Sequence, residues 1–250
     1  MEIYEYLLII IIGFAAGFLN TVAGGGSLIS LPILIFLGLP SVVANATNRV
    51  AILFQNIFAV GGFRSKGVDL PMPYSLYLAL VSLFGGFIGA KLAINIDDEL
   101  FNRILAVIMI GVVLSIAFDS RKKNGVQEER MTVKAQVLGI ISFFFLGIYG
   151  GFIQAGIGFL VIAGLRYINR MSLVKINYIK VFAALIYTGV AVAVFAWEGK
   201  IHWFIAMILS IGQALGGWIA SRWSVDKGDV WIKRVLVAAV IILAIKLWFF

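Results

Sequence analysis

The sequence predicts an all-α, polytopic integral membrane protein made of two inverted repeats, each a glycine-broken hairpin followed by three transmembrane helices. Three observations carry this. Of 250 residues, 62% are hydrophobic and only 13% charged, where a soluble domain averages about 25% charged; the mean hydropathy is +1.05. Two apolar stretches have an unusual length, and glycines interrupt both near the middle. Short motifs recur in the same order along the two halves.

The first repeat is read as residues 1–120. Its opening stretch, 5–38, would be about 51 Å long as one helix at roughly 1.5 Å per residue. That is too long for one upright span of a core about 30 Å thick, and short for two. The run AGFLNTVAGGGSL at 16–28 breaks it, because glycine lowers helix propensity and permits tight turns. The stretch is therefore expected to enter and return to the same side. Helices follow at 41–63, 73–95 and 101–118, each of ordinary spanning length. A cytoplasmic linker occupies 121–134. The second repeat, 135–250, opens with the stretch 135–165, broken by GIYGGFIQAGIGFL at 147–160. Helices are expected after it at 173–197, 201–221 and 231–250. The N-terminal run MEIYEYLLIIIIGF has two glutamates and no Lys or Arg, so it lacks a signal peptide's basic start and is expected to be retained.

The repeat is read from matched motifs. Gly17-Phe18-Leu19-Asn20 aligns with Gly151-Phe152-Ile153-Gln154, and Ala23-Gly24-Gly25-Gly26-Ser27-Leu28 with Ala155-Gly156-Ile157-Gly158-Phe159-Leu160. GGFIGAKLA at 85–93 meets GQALGGWIA at 212–220, and RILAVI at 103–108 meets RVLVAA at 234–239. With hairpins that return to their own side, one face collects Arg64, Lys66, Arg121, Lys122, Lys123, Arg130, Lys134, Arg166, Arg170, Lys175, Arg222, Lys227, Lys233 and Arg234. These are 14 of the 20 Lys and Arg. By the positive-inside rule that face is cytoplasmic. Both termini then lie outside, and the halves are inverted, a recurrent design of secondary transporters.

Two cations are left inside the membrane: Arg49, in ANATNRVAILFQN, and Lys180, in NYIKVFAAL. They correspond in the repeat, and helical rise puts each roughly 12–14 Å from its helix start. All 12 carboxylates fall in expected loops or termini, so neither cation has a carboxylate at its depth. One reading is structural: each snorkels or caps a neighbouring helix end. The other makes the missing anion the substrate. Asn45, Thr47 and Asn48 cluster beside Arg49, while Asn177 and Tyr178 precede Lys180. The glycine breaks expose backbone N–H groups around Gly25, Gly26, Ser27, Gly156 and Gly158, and helix N-termini bind anions. Asn20 and Gln154 match in the repeat and flank these breaks. For the amides, interhelical hydrogen bonds are an equal alternative, and for the glycines alone close helix packing of the small-xxx-small kind is the favoured reading. The expected partners are a small anionic substrate and membrane lipids, with a homodimer left open. Nucleic acid is excluded, since the net charge of +8 is absorbed by cytoplasmic loops. With no cysteine and one histidine, no cofactor or metal site is expected.

At these residues the sequence resembles the TauE/SafE family of membrane exporters. The resemblance rests on GFAAGFLNTVAGGGSLISLP, ANATNRVA, the GGFIGAKLA helix and the shorter second copy, and it runs over nearly the whole chain. It implies export of sulfite or an organosulfonate across the cytoplasmic membrane. The second copy departs from the first, with QAGIG against NTVAGGG and Lys for Arg. Two other readings stand beside it: an intramembrane hydrolase using Ser27 with Lys180, and a non-transporting membrane scaffold. Transport is expected to be electrogenic and sodium-independent, with proton coupling through Lys180 as the alternative.

Overall fold

The structure is a computed structural model that describes residues 3–117 and 128–249. The described residues are helical, with α1 (Ile3–Val22), α2 (Ser27–Phe36), α3 (Ser41–Ser65), α4 (Tyr74–Ile94), α5 (Asp98–Ala117), α6 (Val133–Phe152), α7 (Ile157–Ile168), α8 (Leu173–Trp197) and α9 (Trp203–Phe249). Of these, α1, α4, α6, α8 and α9 are long and apolar enough to cross a membrane. The 25-residue α3 is long enough, but it carries Asn45, Thr47, Asn48, Arg49, Gln55 and Asn56. Arg121, Lys122, Lys123, the first half of the 121–134 linker and the last residue of the expected 101–118 helix lie outside the described residues.

Both long stretches break where the glycines stand, between α1 and α2 and between α6 and α7. The limbs are unequal. α1 and α6 have 20 residues each, about 30 Å, while α2 and α7 have 10 and 12, about 15 and 18 Å. The second limb of each hairpin is a half-helix, too short to cross a core of about 30 Å. The α6–α7 hairpin returns to its own end: the Arg130 amide, just before α6, donates to Asn169 O just after α7 at 2.8 Å. Its guanidinium donates to Ile168 O at 2.9 Å.

Side-chain contacts sort the helix termini into two ends. Lys66–Asp226, Lys175–Glu129 and Arg166–Asp229 ion pairs join the end of α3, the starts of α6 and α8, the end of α7 and the middle of α9. At the other end, Lys91 pairs with Glu198 and Asp98 accepts from the Val42 amide. There too the His202 amide donates to Thr47 Oγ1, and Tyr6 packs on Phe204.

One expectation is corrected. A loop was expected between helices 201–221 and 231–250. The chain instead stays helical through Lys227 and turns at Gly228, whose φ of 70° and ψ of −173° divide α9 into two arms. Residues 222–227 contain no glycine or proline, so nothing stops the helix earlier. Trp231 then folds back, with its ring 6.5 Å from that of Trp223.

Candidate functional site

The centre of the molecule is where the two broken segments cross. Gly24 and Gly158 meet backbone to backbone: a Cβ on either would overlap the other's Cα. Gly24 also has a φ of 87°, so no other residue serves there without strain. The crossing leaves the C-terminal ends of α1 and α6 pointing into the protein interior. The last four carbonyls of any helix have no partner within it, and in a buried place each must find one.

α8 supplies the partners for α1. Leu19 O accepts from the Ala23 and Gly24 amides. Asn20 O and Thr21 O accept from Lys180 Nζ at 3.0 and 2.8 Å, and Val22 O accepts from Asn177 Nδ2 at 3.0 Å. α3 does the same for α6. Tyr149 O accepts from the Ile153 and Gln154 amides, Gly150 O from Arg49 Nη1 at 2.6 Å, and Phe152 O from Asn45 Nδ2 at 2.9 Å. Each pair of an asparagine and a cation thus finishes the broken helix of the opposite half. Among the described residues the cations have no carboxylate partner, but they sit on the negative ends of two helix dipoles.

The two cations are not equivalent. Lys180 donates a third time, to Asn177 Oδ1 at 2.8 Å, so all three of its donors are used. Arg49 is wholly buried and uses only Nη1, on Gly150 O and on Gln154 Oε1 at 3.1 Å. Nε and Nη2, the side-on fork that grips an oxyanion by two oxygens, find no acceptor among the described residues. The Arg49 guanidinium also packs 5.3 Å from the ring centre of Phe195.

A cavity of about 10 Å³ lies beside the crossing, the scale of one water molecule. Asn20, Gln55, Asn56, Gln154, Lys180 and Tyr187 line it, with Gly158 and apolar residues. Asn56 Nδ2 is buried there without a partner among the described residues. Asn20 donates to Gln55 Oε1 at 3.0 Å, and Gln154 to Thr188 Oγ1 at 3.2 Å. Arg49 is set back behind Gln154, which touches both it and the cavity. Gln154 holds a φ of 61°, a strained conformation of the kind concentrated at functional sites.

Of the residues expected at the site, Asn20, Gln154, Lys180 and Gly158 line the cavity. Asn45 and Asn177 cap helix ends, as above. Thr47 accepts from the His202 amide, Asn48 accepts from Gln213, and Tyr178 stacks on Phe63 with ring centres 5.1 Å apart. These three serve packing away from the cavity. Gly25 and Gly26 face Phe159 and Ala16 in close contact, and Gly156 is left-handed. Ser27 Oγ is buried without a partner, and Lys180 spends its donors elsewhere, so no Ser27–Lys180 pair is formed. Tyr187 and Thr188 were missed. They stand seven and eight residues beyond Lys180, on the same helical face, which is the signal that identifies them.

No solved structure matches the chain. Curated relatives do. A protein of Sinorhizobium sp called probable membrane transporter protein ORF9 is 28% identical, over 94% of this chain and 88% of its own length. A probable membrane transporter protein of Haemophilus influenzae is 26% identical over 90% and 88%. Probable membrane transporter protein YfcA of Escherichia coli (strain K12) is 25% identical over 93% and 85%. The family model described as sulfite exporter TauE/SafE matches residues 9–247. With its apolar helices, crossed half-helix hairpins and buried cations, the chain belongs to the TauE/SafE sulfite exporter family and is a membrane transporter.

Proposed function

We propose that the protein exports a small sulfur oxyanion, sulfite or an organosulfonate, from the cytoplasm through the crossing of the two broken hairpins. The observation that carries this reading is the unpartnered fork of Arg49. A wholly buried guanidinium with two unused, co-directed donors is costly, and an oxyanion is the group whose geometry satisfies both donors at once. Gln154 and Asn56 add neutral amide donors on the way to the fork, and Lys180 adds positive charge without a free N–H. The absence of Asp or Glu from the cavity lining favours an anion over a cation. A cavity of about 10 Å³ is too small for a central atom with three oxygens, so loading requires the hairpins to part.

The reciprocal capping of α1 by α8 and α6 by α3 supports the inverted repeat. The basic ends of α3, α6, α7 and α8 support a cytoplasmic assignment for that side. The test is binding of radiolabelled sulfite to the purified protein in detergent, with sulfate, taurine and acetate as competitors. Saturable binding displaced by sulfonates but not acetate is expected. Absence of displaceable binding by any of these anions would overturn the reading.

A further inference from the structure

Lys180 has more protein oxygen around it than a substrate ligand needs. Its ammonium is held by two main-chain carbonyls from the last turn of α1, Asn20 O and Thr21 O, and by Asn177 Oδ1, all at 2.8–3.0 Å. Carbonyl oxygens at the C-terminal end of a broken helix, completed by a side-chain oxygen, are the chemistry by which a membrane protein holds a small monovalent cation. The helix dipole adds negative potential at the same point. Arg49 at the end of α6 does not repeat this. It meets one carbonyl and one amide oxygen and leaves two donors unused.

We propose that Lys180 is a tethered cation: its ammonium fills a three-oxygen cage at the end of α1 that, once the lysine is shortened, takes a small monovalent cation from solution. The lysine thereby makes the α1–α8 junction independent of sodium. It also joins the two halves, because α1 belongs to the first and α8 to the second. The arrangement does not depend on which anion is carried.

The test is chemical rescue of stability. Lys180→Ala is purified, and its thermal unfolding midpoint is followed against ethylammonium chloride, sodium chloride and, at matched ionic strength, choline chloride. Choline is too bulky for the cage and reports the general salt effect. Ethylammonium or sodium is expected to raise the midpoint by about 3 °C for each tenfold increase beyond half-saturation, with choline flat. The wild type should respond equally to all three salts. The double variant Lys180→Ala/Asn177→Ala, which removes one cage oxygen, should lose most of the rescue. Should Lys180→Ala be too unstable to purify without salt, the yield of monodisperse protein extracted from membranes in each salt gives the same reading. A response to ethylammonium and sodium no greater than to choline, by midpoint or by yield, overturns the proposal whatever the sulfite result.

Discussion

Arg49 and Lys180 are both basic, both buried, and both bonded to the end of a broken helix, yet they use their donors differently. An ammonium has three donors, and Lys180 spends all three on protein oxygens. A guanidinium has five in a planar fork, and Arg49 leaves its Nε/Nη2 edge unspent. Arg49→Ala is therefore expected to weaken sulfite binding about 100-fold or more, from loss of charged hydrogen bonds worth about 1.5–3 kcal/mol each. Arg49→Lys keeps the charge without the fork and should fall between, about tenfold weaker than wild type. Equal affinity of all three proteins for radiolabelled sulfite would assign Arg49 to capping alone. Gln154→Glu puts a carboxylate 3.1 Å from the guanidinium in place of the amide oxygen. It is expected to abolish sulfite binding while the protein stays folded, because the new anion neutralises the fork. Retained binding would show that the anion does not approach past Gln154.

Two kinds of helix end hold the elements together. The N-termini of the two cation-bearing helices take carboxylates from a distance. Asp98 accepts from Val42 at the start of α3, and Asp229 accepts from Leu173 and Val174 at the start of α8. Asp229→Ala should cost about 0.5–2 kcal/mol, the usual loss of an N-terminal cap, and it also removes the ion pair with Arg166. Denaturation of the variant in mixed micelles, compared with wild type, measures this. The broken ends depend on close approach. Gly24 and Gly67 both have positive φ, 87° and 70°, but Gly24 faces the backbone of Gly158 while nothing lies within 4 Å of a Cβ at Gly67. Gly24→Ala is expected to prevent the crossing and yield no monodisperse protein, whereas Gly67→Ala should only bear a strain of about 1 kcal/mol. Size-exclusion profiles of the two variants decide it, and matching profiles would mean the crossing tolerates a methyl group.

At the scale of the whole molecule, charge distinguishes the two ends. Arg64, Lys66, Arg166, Lys175 and Arg222 gather at one end of the bundle. If that end is cytoplasmic, both termini face outside, and a reporter active only in the cytoplasm should be silent when fused after Phe250. No carboxylate is buried among the described residues, so the usual Asp/Glu proton relay has no residue to run on. For the export proposed above, the expected drive is the membrane potential, about 2.3 kcal/mol per charge per 100 mV. A dianion leaving at roughly −100 mV gains about 4.6 kcal/mol, near a 2,000-fold gradient. Proteoliposomes with a potassium-diffusion potential and equal pH on both sides should show sulfite flux. Flux that ignores the potential and follows an imposed pH gradient would transfer the coupling to Lys180.

The sequence by itself determined what local chemistry determines. Length and apolarity of the stretches set the helices, glycine runs set the two breaks, and Arg49 and Lys180 stood out because an ionised group in an apolar run has to be explained. Proline and glycine at Gly38-Leu39-Pro40 likewise set the boundary before α3. Only the tertiary structure decided what the cations touch. Three of their five acceptors are main-chain carbonyls, which every residue has and which no residue type advertises. Whether those carbonyls are free depends on where a helix ends and which helix of the other half lies against it. For the same reason Asn45 and Asn177 could be read from sequence as ligands, while the fold uses them as caps. The loop expected at 222–230 failed on a smaller point of the same kind: one glycine, Gly228, makes the turn, and Trp231 packing back on Trp223 is a contact between residues that no local pattern brings together.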